Sequence, residues 1–103
     1  MILTFGIASY NNAKNLILTI NTIKKTMNNY KKYNYEVIVV DDNSNDNTEN
    51  KCKDLKKNNV RYFKNSFKLG FGKSILKAAS LGRGKFFKIV HSGNIENIKE
   101  LNT

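Results

Sequence analysis

Two adjacent aspartates, Asp41 and Asp42, are the residues of this sequence best placed to do chemistry, because they directly follow the apolar run VIVV. Neighbouring carboxylates repel each other unless hydrogen-bond donors or a ligand offset their charge. The oxygen-rich stretch DDNSNDNTENKC suggests calcium, but an EF-hand loop started at Asp42 needs glycine at 47 and glutamate at 53, and finds Asn47 and Lys53. A capped turn before a helix explains the residues that follow, but it does not explain two adjacent aspartates ending a buried strand.

A second candidate motif is FGKS at residues 71–74, which follows a predicted strand and opens a predicted helix. That is the setting of a phosphate-binding P-loop. A P-loop ending there needs glycine at position 67, where the chain has Phe67, and this side chain would obstruct the backbone that cradles phosphate. We therefore do not expect a P-loop.

The composition predicts one domain over residues 1–103, with a single core. The net charge of +10 comes from sixteen lysines and two arginines, but the lysines are scattered along the chain, so we expect solvated side chains and no nucleic acid partner. No apolar run approaches the roughly 20 residues of a membrane span, and the start lacks the features of a signal peptide. We expect a cytoplasmic protein in which Cys52 is a buried apolar residue on a helix.

Strand-like and helix-like segments alternate along the chain. We predict strands over residues 2–8, 35–42, 60–65 and 85–90, and helices over 13–27, 48–57 and 73–81. The first helix turns a periodic face inward, made of Ala13, Leu16, Ile17, Ile20, Ile23 and Met27. The third helix is expected to bury Ile75, Leu76 and Ala79, with Ala78 as a further candidate. This alternation predicts a doubly wound α/β sheet that binds ligands beyond the carboxyl ends of its strands.

Four segments, in order and spacing, resemble the nucleotide-binding half of family 2 glycosyltransferases with the GT-A fold. They are GIASYNNAKNLILTINTI, YEVIVVDDNSNDNT, VRYFKNSFKLGFGKSILKAAS and GRGKFFKIVHSGN, and together they cover nearly the whole chain. The resemblance implies a Rossmann-like parallel sheet of four strands in the order 3-2-1-4, with helices on both faces. It also implies a UDP- or other NDP-sugar as partner, held by Ala8, Ser9, Tyr10, Asp41, Asp42, Gly70 and Lys73. In this reading the turn at residues 8–10 packs on the base and ribose, and Asp42 accepts from a uracil-like base.

The chain departs from the family at the end of the fourth strand, where an acidic D-x-D-type motif ordinarily holds Mn²⁺ or Mg²⁺. Here that position carries His91, Ser92 and Gly93, which supply no carboxylate, so we expect a degenerate diphosphate site and no metal cofactor. Three alternatives stay open: His91 or Glu96 replaces the missing ligand, or backbone N–H groups at residues 92–94 hold phosphate directly.

A second departure is length, because the acceptor-binding region and catalytic base of the family lie downstream of the acidic motif. The resemblance therefore implies a truncated donor-binding domain that is inactive unless a downstream or partner segment completes it. The alternative functions are a basic non-enzymatic α/β module for nucleic acid or anionic surfaces, and an assembly module. We further expect self-association through the strand at residues 86–90, and we expect that Asp42→Asn weakens nucleotide binding with little change in thermal stability.

Overall fold

Strands and helices alternate through the computed structural model, which describes residues 1–55 and 59–91. Its strands are β1 (Leu3–Ser9), β2 (Tyr35–Asp41), β3 (Val60–Lys64) and β4 (Phe86–Ile89). Its helices are α1 (Ala13–Met27), α2 (Thr48–Lys53) and α3 (Phe71–Leu81). The four strands are parallel and lie in the order β3-β2-β1-β4, which confirms the predicted sheet.

Helices cover both faces of the sheet. Val37 and Val39 of β2 belong to one apolar cluster with residues of α1 and α2, whereas Ile38 and Val40 pack with Ala78 of α3 on the opposite face. A strand buried on both sides needs apolar residues at consecutive positions, which explains the unalternated run VIVV. The prediction of helices on both faces is confirmed.

Most of the predicted inward residues are buried, but α3 differs. Its buried residues are Ser74, Ile75 and Ala78, while Leu76 is 71% exposed and Ala79 is exposed as well. Each residue advances about 100° around a helix, so Leu76 and Ala79 lie on a stripe beside the one that faces the sheet. The expectation that they point inward was wrong.

Several predicted boundaries also shift. Helix α2 ends at Lys53 and not near Lys57, α3 begins two residues earlier at Phe71, and β4 is limited to Phe86–Ile89. Cys52 of α2 is buried in the core as predicted. No helix among the described residues is both long enough and apolar enough to span a bilayer.

A buried glutamate joins three strands at the amino end of the sheet. Glu36 of β2 accepts from Thr4 Oγ1 at 2.7 Å and from Arg61 Nε and Nη2 at 3.0 and 2.9 Å. It also accepts from the Arg83 N–H at 2.6 Å, in the link between α3 and β4. A buried carboxylate is tolerated only when paired and hydrogen-bonded, and this network meets that condition at the end of the sheet opposite the candidate site.

Candidate functional site

The carboxyl ends of β1, β2 and β3 lie side by side and bring the predicted polar residues together. Ser9 stands opposite Asp41 in the β1–β2 register, and Asp41 stands opposite Lys64 of β3. The ladder continues beyond the strands, because the Asp42 N–H donates to Ser9 O and the Asn65 N–H donates to Asp41 O, both at 2.8 Å. Since consecutive residues point to opposite faces, Asp41 and Asp42 enter different environments.

Asp41 points toward the α1 and α2 face and is fully buried. One carboxylate oxygen accepts from the Ser44 N–H at 2.9 Å and from the Ser44 hydroxyl, and the other accepts from the Tyr62 hydroxyl. Burial, reinforced by the hydrogen bond and charge of Asp41, raises the pKa of Tyr62. Asp41 therefore holds the turn after β2 in place, and its carboxylate has no surface open to a ligand.

Asp42 points to the α3 face and is 4% exposed. Its Oδ1 accepts from Asn65 Nδ2 at 3.0 Å and from the Leu69 N–H at 2.7 Å, and its Oδ2 accepts from the Gly70 N–H at 2.9 Å. Burial alone would raise the pKa of Asp42, but these hydrogen bonds and the nearby Lys68 charge outweigh it and hold the pKa below its usual range. The carboxylate is thus ionised at neutral pH and anchors the turn that precedes α3.

An exposed aromatic ring stands at the end of β1 beside this turn. Tyr10 is 43% exposed, and Lys68 Nζ lies 3.9 Å from the centroid of its ring. A cation at this distance is attracted to the ring face. The Asp42 N–H donates to the carbonyl oxygen of Ser9, the residue before Tyr10, so Tyr10 and Asp42 lie at the ends of adjacent strands. Ala8, the residue before Ser9, is partly buried.

Ser9 itself has an unusual environment. It is almost fully buried, and its hydroxyl is the only buried side-chain N or O atom without a hydrogen-bond partner in the described part of the chain. Buried polar atoms are rarely left unpaired, because each loses its contacts with water. The hydroxyl can still pair with a ligand or a bound water.

Gly70 opens α3 and has a φ of 96°, a conformation that favours glycine because it has no side chain. Lys73 lies exposed in the first turn of α3. The His91 ring stacks on the ring of Phe71, the residue after Gly70, with a centroid distance of 5.0 Å and an interplanar angle of 9°. Of the residues expected to bind a nucleotide, Tyr10 and Lys73 are exposed and Ala8 and Gly70 are partly buried, whereas Ser9, Asp41 and Asp42 are buried.

The sequence-based predictions do not include Asn65, a buried residue that supports Asp42 and the start of α3. Asn65 is buried and donates to both Asp42 Oδ1 and Ser74 Oγ, each at 3.0 Å, and it accepts from Lys77 Nζ at 3.0 Å. Ser44 reaches Asp41 across a tight turn, and Asn65 reaches Asp42 from the end of the neighbouring strand β3, and the sequence pattern defines neither contact. One feature of the sequence could have identified Asn65: like Asp42, it is a polar residue that directly follows a strand.

At the end of β4 the described chain offers His91 but no carboxylate ligand for a divalent cation. No cluster of three or more His, Cys, Asp or Glu residues forms among residues 1–55 and 59–91. His91 is stacked on Phe71, and both carboxylates nearest the site are held by protein donors. Hard cations such as Mn²⁺ and Mg²⁺ prefer anionic oxygen ligands, and residues 91–93 contain none. Ser92, Gly93 and Glu96 lie outside the described residues.

Comparison with solved structures finds the same fold in longer proteins. TarS 1–349 of S. aureus in complex with UDP-GlcNAc superposes with a TM-score of 0.80 at 26% identity, covering 98% of this chain and 30% of that one. The same protein with UDP gives a TM-score of 0.79 at 24% identity, over 98% and 31% of the two chains. The mannosyltransferase PcManGT of Pyrobaculum calidifontis, in complex with GDP-Man and Mn²⁺, gives a TM-score of 0.76 at 19% identity and covers 87% of this chain and 27% of its own chain.

The chain thus spans less than a third of the length of these structures. No curated protein sequence matches it. The model of the family described as glycosyl transferase family 2 matches residues 4–92, which contain every described strand and helix apart from Leu3, the first residue of β1. The chain therefore belongs to glycosyl transferase family 2.

Proposed function

We propose that residues 1–103 form a donor-binding domain that holds a UDP- or other NDP-sugar at the carboxyl ends of β1, β2 and β3. The observation that carries this proposal is the exposed Tyr10 ring at the end of β1, next to the end of β2 where the ionised Asp42 lies. An aromatic ring offers a stacking face to a nucleobase, and a carboxylate accepts from its imide N–H. Family membership and the UDP-GlcNAc complex of the similar TarS structure support the same ligand class.

The hydrogen bonds of Asp42 leave room for one more donor. A carboxylate offers about four lone-pair sites, and three of them are filled by Asn65, Leu69 and Gly70. Among the described residues Oδ2 accepts only from the Gly70 N–H, which leaves a lone pair for the imide of a uracil in this proposal. In this proposal Ser9 and Ala8 contact the ribose, and Lys68 and Lys73 supply positive charge to the diphosphate.

The proposed site is tested by calorimetric titration with UDP. Tyr10→Ala should weaken binding by about 1–3 kcal/mol, the usual contribution of one stacking aromatic. Tyr33→Ala is the matched control, since Tyr33 is 41% exposed and lies in the link before β2, away from the carboxyl ends of the strands. Equal losses in both variants would contradict the proposal, as would an absence of saturable UDP binding by the natural chain.

Titration at two salt concentrations separates this function from that of a basic module. Polyanion binding driven by lysines weakens steeply with salt, because it releases counterions. Nucleotide binding built on stacking and a buried carboxylate should weaken far less. Binding of single-stranded DNA as tight as that of UDP, lost between about 50 and 200 mM salt, would favour the basic module.

We further propose that the nucleotide binds without a divalent cation, because residues 91–93 offer no carboxylate. UDP affinity should be equal with and without Mn²⁺, after correction for the binding of Mn²⁺ to free UDP. Ser92→Asp combined with Gly93→Asp should introduce a dependence on Mn²⁺. Strong dependence in the natural chain would overturn this proposal and identify His91 or Glu96 as a replacement ligand.

The chain by itself is proposed to bind the donor without transferring its sugar. Each carboxylate at the described site is engaged by protein donors, so neither is placed to deprotonate an acceptor hydroxyl. An assay of UDP release from UDP-GlcNAc should show no turnover above the uncatalysed rate. Turnover that disappears in Tyr10→Ala would contradict this part of the proposal.

A further inference from the structure

The side chain of Lys68 crosses the carboxyl end of the sheet. Its backbone lies in the turn before α3, where the next two residues, Leu69 and Gly70, donate their N–H groups to Asp42 at 2.7 and 2.9 Å. Its ammonium lies 3.9 Å from the centroid of the Tyr10 ring, directly after β1. Lys68 therefore reaches from a turn that is anchored at the end of β2 to the end of the neighbouring strand.

The Lys68 ammonium covers one face of the Tyr10 ring. A cation above a ring face is attracted by the ring quadrupole, but the attraction is small at an exposed site. Tyr10 is such a site, since its side chain is 43% exposed. A nucleobase stacks on a ring at a contact distance of about 3.5 Å. The ammonium at 3.9 Å fills the same space, so the base and the ammonium cannot share that face.

A base that stacks on Tyr10 and also reaches Asp42 needs this same face. The Asp42 N–H donates to Ser9 O at 2.8 Å, so Asp42 lies beside the residue that precedes Tyr10. Lys68 comes from the turn that Asp42 anchors, and it meets the ring on the side turned toward Asp42. A base that donates to the Asp42 carboxylate approaches the ring from that side as well.

We propose that Lys68 occupies the base-stacking face of Tyr10 in the free chain, and that a bound nucleotide displaces its ammonium from the ring to the diphosphate. The inference rests on the proposed nucleotide site. The flexible four-carbon stem of lysine permits the movement. Residues 91–93 offer no carboxylate to hold a cation at the diphosphate, so the ammonium supplies the missing positive charge. The exchange makes the site select nucleoside diphosphates and their sugars over free nucleosides.

The exchange affects ligands with and without phosphate in opposite ways. Uridine that displaces Lys68 breaks the contact with the Tyr10 ring and gives the ammonium only water in return. UDP gives it an anionic partner, and a hydrogen bond between an ammonium and a phosphate is stronger than an exposed cation–π contact. Lys68 should therefore weaken the binding of uridine and strengthen the binding of UDP.

The test is an NMR titration of the natural chain and of Lys68→Ala with UDP and with uridine, at one ionic strength. Uridine affinity should rise about two- to fivefold in Lys68→Ala, because the base no longer displaces an ammonium. The ratio of UDP affinity to uridine affinity should fall about tenfold or more, because the diphosphate loses its cation. The control is Lys25→Ala, which makes the same change in net charge in the last turn of α1 and should leave both affinities unchanged.

A second measurement observes the contact of Lys68 with Tyr10 directly. The ring current of Tyr10 should shift the ε protons of Lys68 upfield in the free chain, and this shift should disappear in Tyr10→Leu and in the natural chain saturated with UDP. Unshifted ε protons in the free chain, a shift that persists with UDP bound, or equal changes of UDP and uridine affinity in Lys68→Ala would each overturn the exchange alone. Absence of UDP binding by the natural chain would instead overturn the proposed function on which the exchange rests.

Discussion

At the scale of single residues, the two adjacent aspartates do different work because they point to opposite faces of β2. The Asp41 carboxylate accepts hydrogen bonds from Ser44 and Tyr62. The Asp42 carboxylate instead anchors the turn before α3 and, among the described residues, keeps one lone pair free. The expectation that Asp42→Asn changes thermal stability little does not account for these contacts. The backbone N–H groups of Leu69 and Gly70 and the Asn65 amide all donate to its oxygens.

Asp42→Asn should therefore lower both nucleotide affinity and stability. The amide NH₂ would replace one acceptor oxygen and face N–H donors, so we expect a loss of about 1–3 kcal/mol in the free energy of unfolding. UDP affinity should fall by about 1–3 kcal/mol when measured on folded protein at low temperature. Asp54→Asn, at an exposed aspartate after α2, is the control. An unchanged urea midpoint in Asp42→Asn would contradict the anchoring role.

Ser9→Ala should separate binding from folding. Its hydroxyl makes no hydrogen bond within the described structure, so its removal should change the free energy of unfolding by less than about 0.5 kcal/mol. If the hydroxyl pairs with the ligand, UDP affinity should fall by about 0.5–1.5 kcal/mol. Calorimetry and urea unfolding on the same preparation measure both quantities. Unaltered UDP affinity would remove Ser9 from the proposed site.

At the scale of elements, the start of α3 depends on one glycine conformation. Gly70 precedes the helix with a φ of 96°, and its N–H donates to Asp42. An added Cβ would meet no atom within 4 Å at either Gly70 or Gly72, so packing cannot distinguish the two positions. Only the backbone conformation distinguishes them.

The two glycines should respond in opposite directions to alanine. Gly70→Ala should lower the free energy of unfolding by about 1–2 kcal/mol, because a residue with a Cβ resists positive φ. Gly72→Ala, inside the first turn of α3, should raise the free energy of unfolding by about 0.5–1 kcal/mol, because alanine has the higher helix propensity. Thermal unfolding of both variants measures the difference. A similar shift for both would show that the turn adopts another conformation in solution.

At the scale of the whole molecule, buried carboxylates hold both ends of the sheet. Burial would raise the pKa of Glu36, but hydrogen bonds from the Arg83 N–H, Thr4 and Arg61 outweigh it and hold the pKa below its usual range. The pKa of Asp42 at the opposite end is lowered in the same way. A carboxylate with a lowered folded-state pKa stabilises the fold at pH values above its unfolded pKa.

Acid should therefore destabilise the protein. As pH falls from about 5 through the folded pKa values, protonation removes this stabilisation, and the free energy of unfolding should decrease. Urea unfolding at a series of pH values measures how the free energy of unfolding depends on pH. Glu36→Gln should be less stable than the natural chain at pH 7, and its free energy of unfolding should fall less when the pH is lowered. Stability that is constant down to about pH 3 would contradict the role of these carboxylates.

The sequence by itself determined the order of the elements, the parallel sheet and the family. Periodic apolar residues and strand-terminal polar residues are local signals, and four ordered segments carried the resemblance. The unalternated run VIVV is typical of a strand covered on both faces, and the structure places helices on each side of it.

Only the tertiary structure decided what the polar residues do and which apolar residues are covered. Asp41 and Asp42 differ by one position, yet the pleat directs one into the core and the other toward the α3 turn. The helical spacing predicted Leu76 as a core residue, but its side chain is 71% exposed, because the sheet contacts a different stripe of α3. Such outcomes depend on contacts between residues far apart in the chain, and local periodicity contains no information about which element will stand opposite a given face.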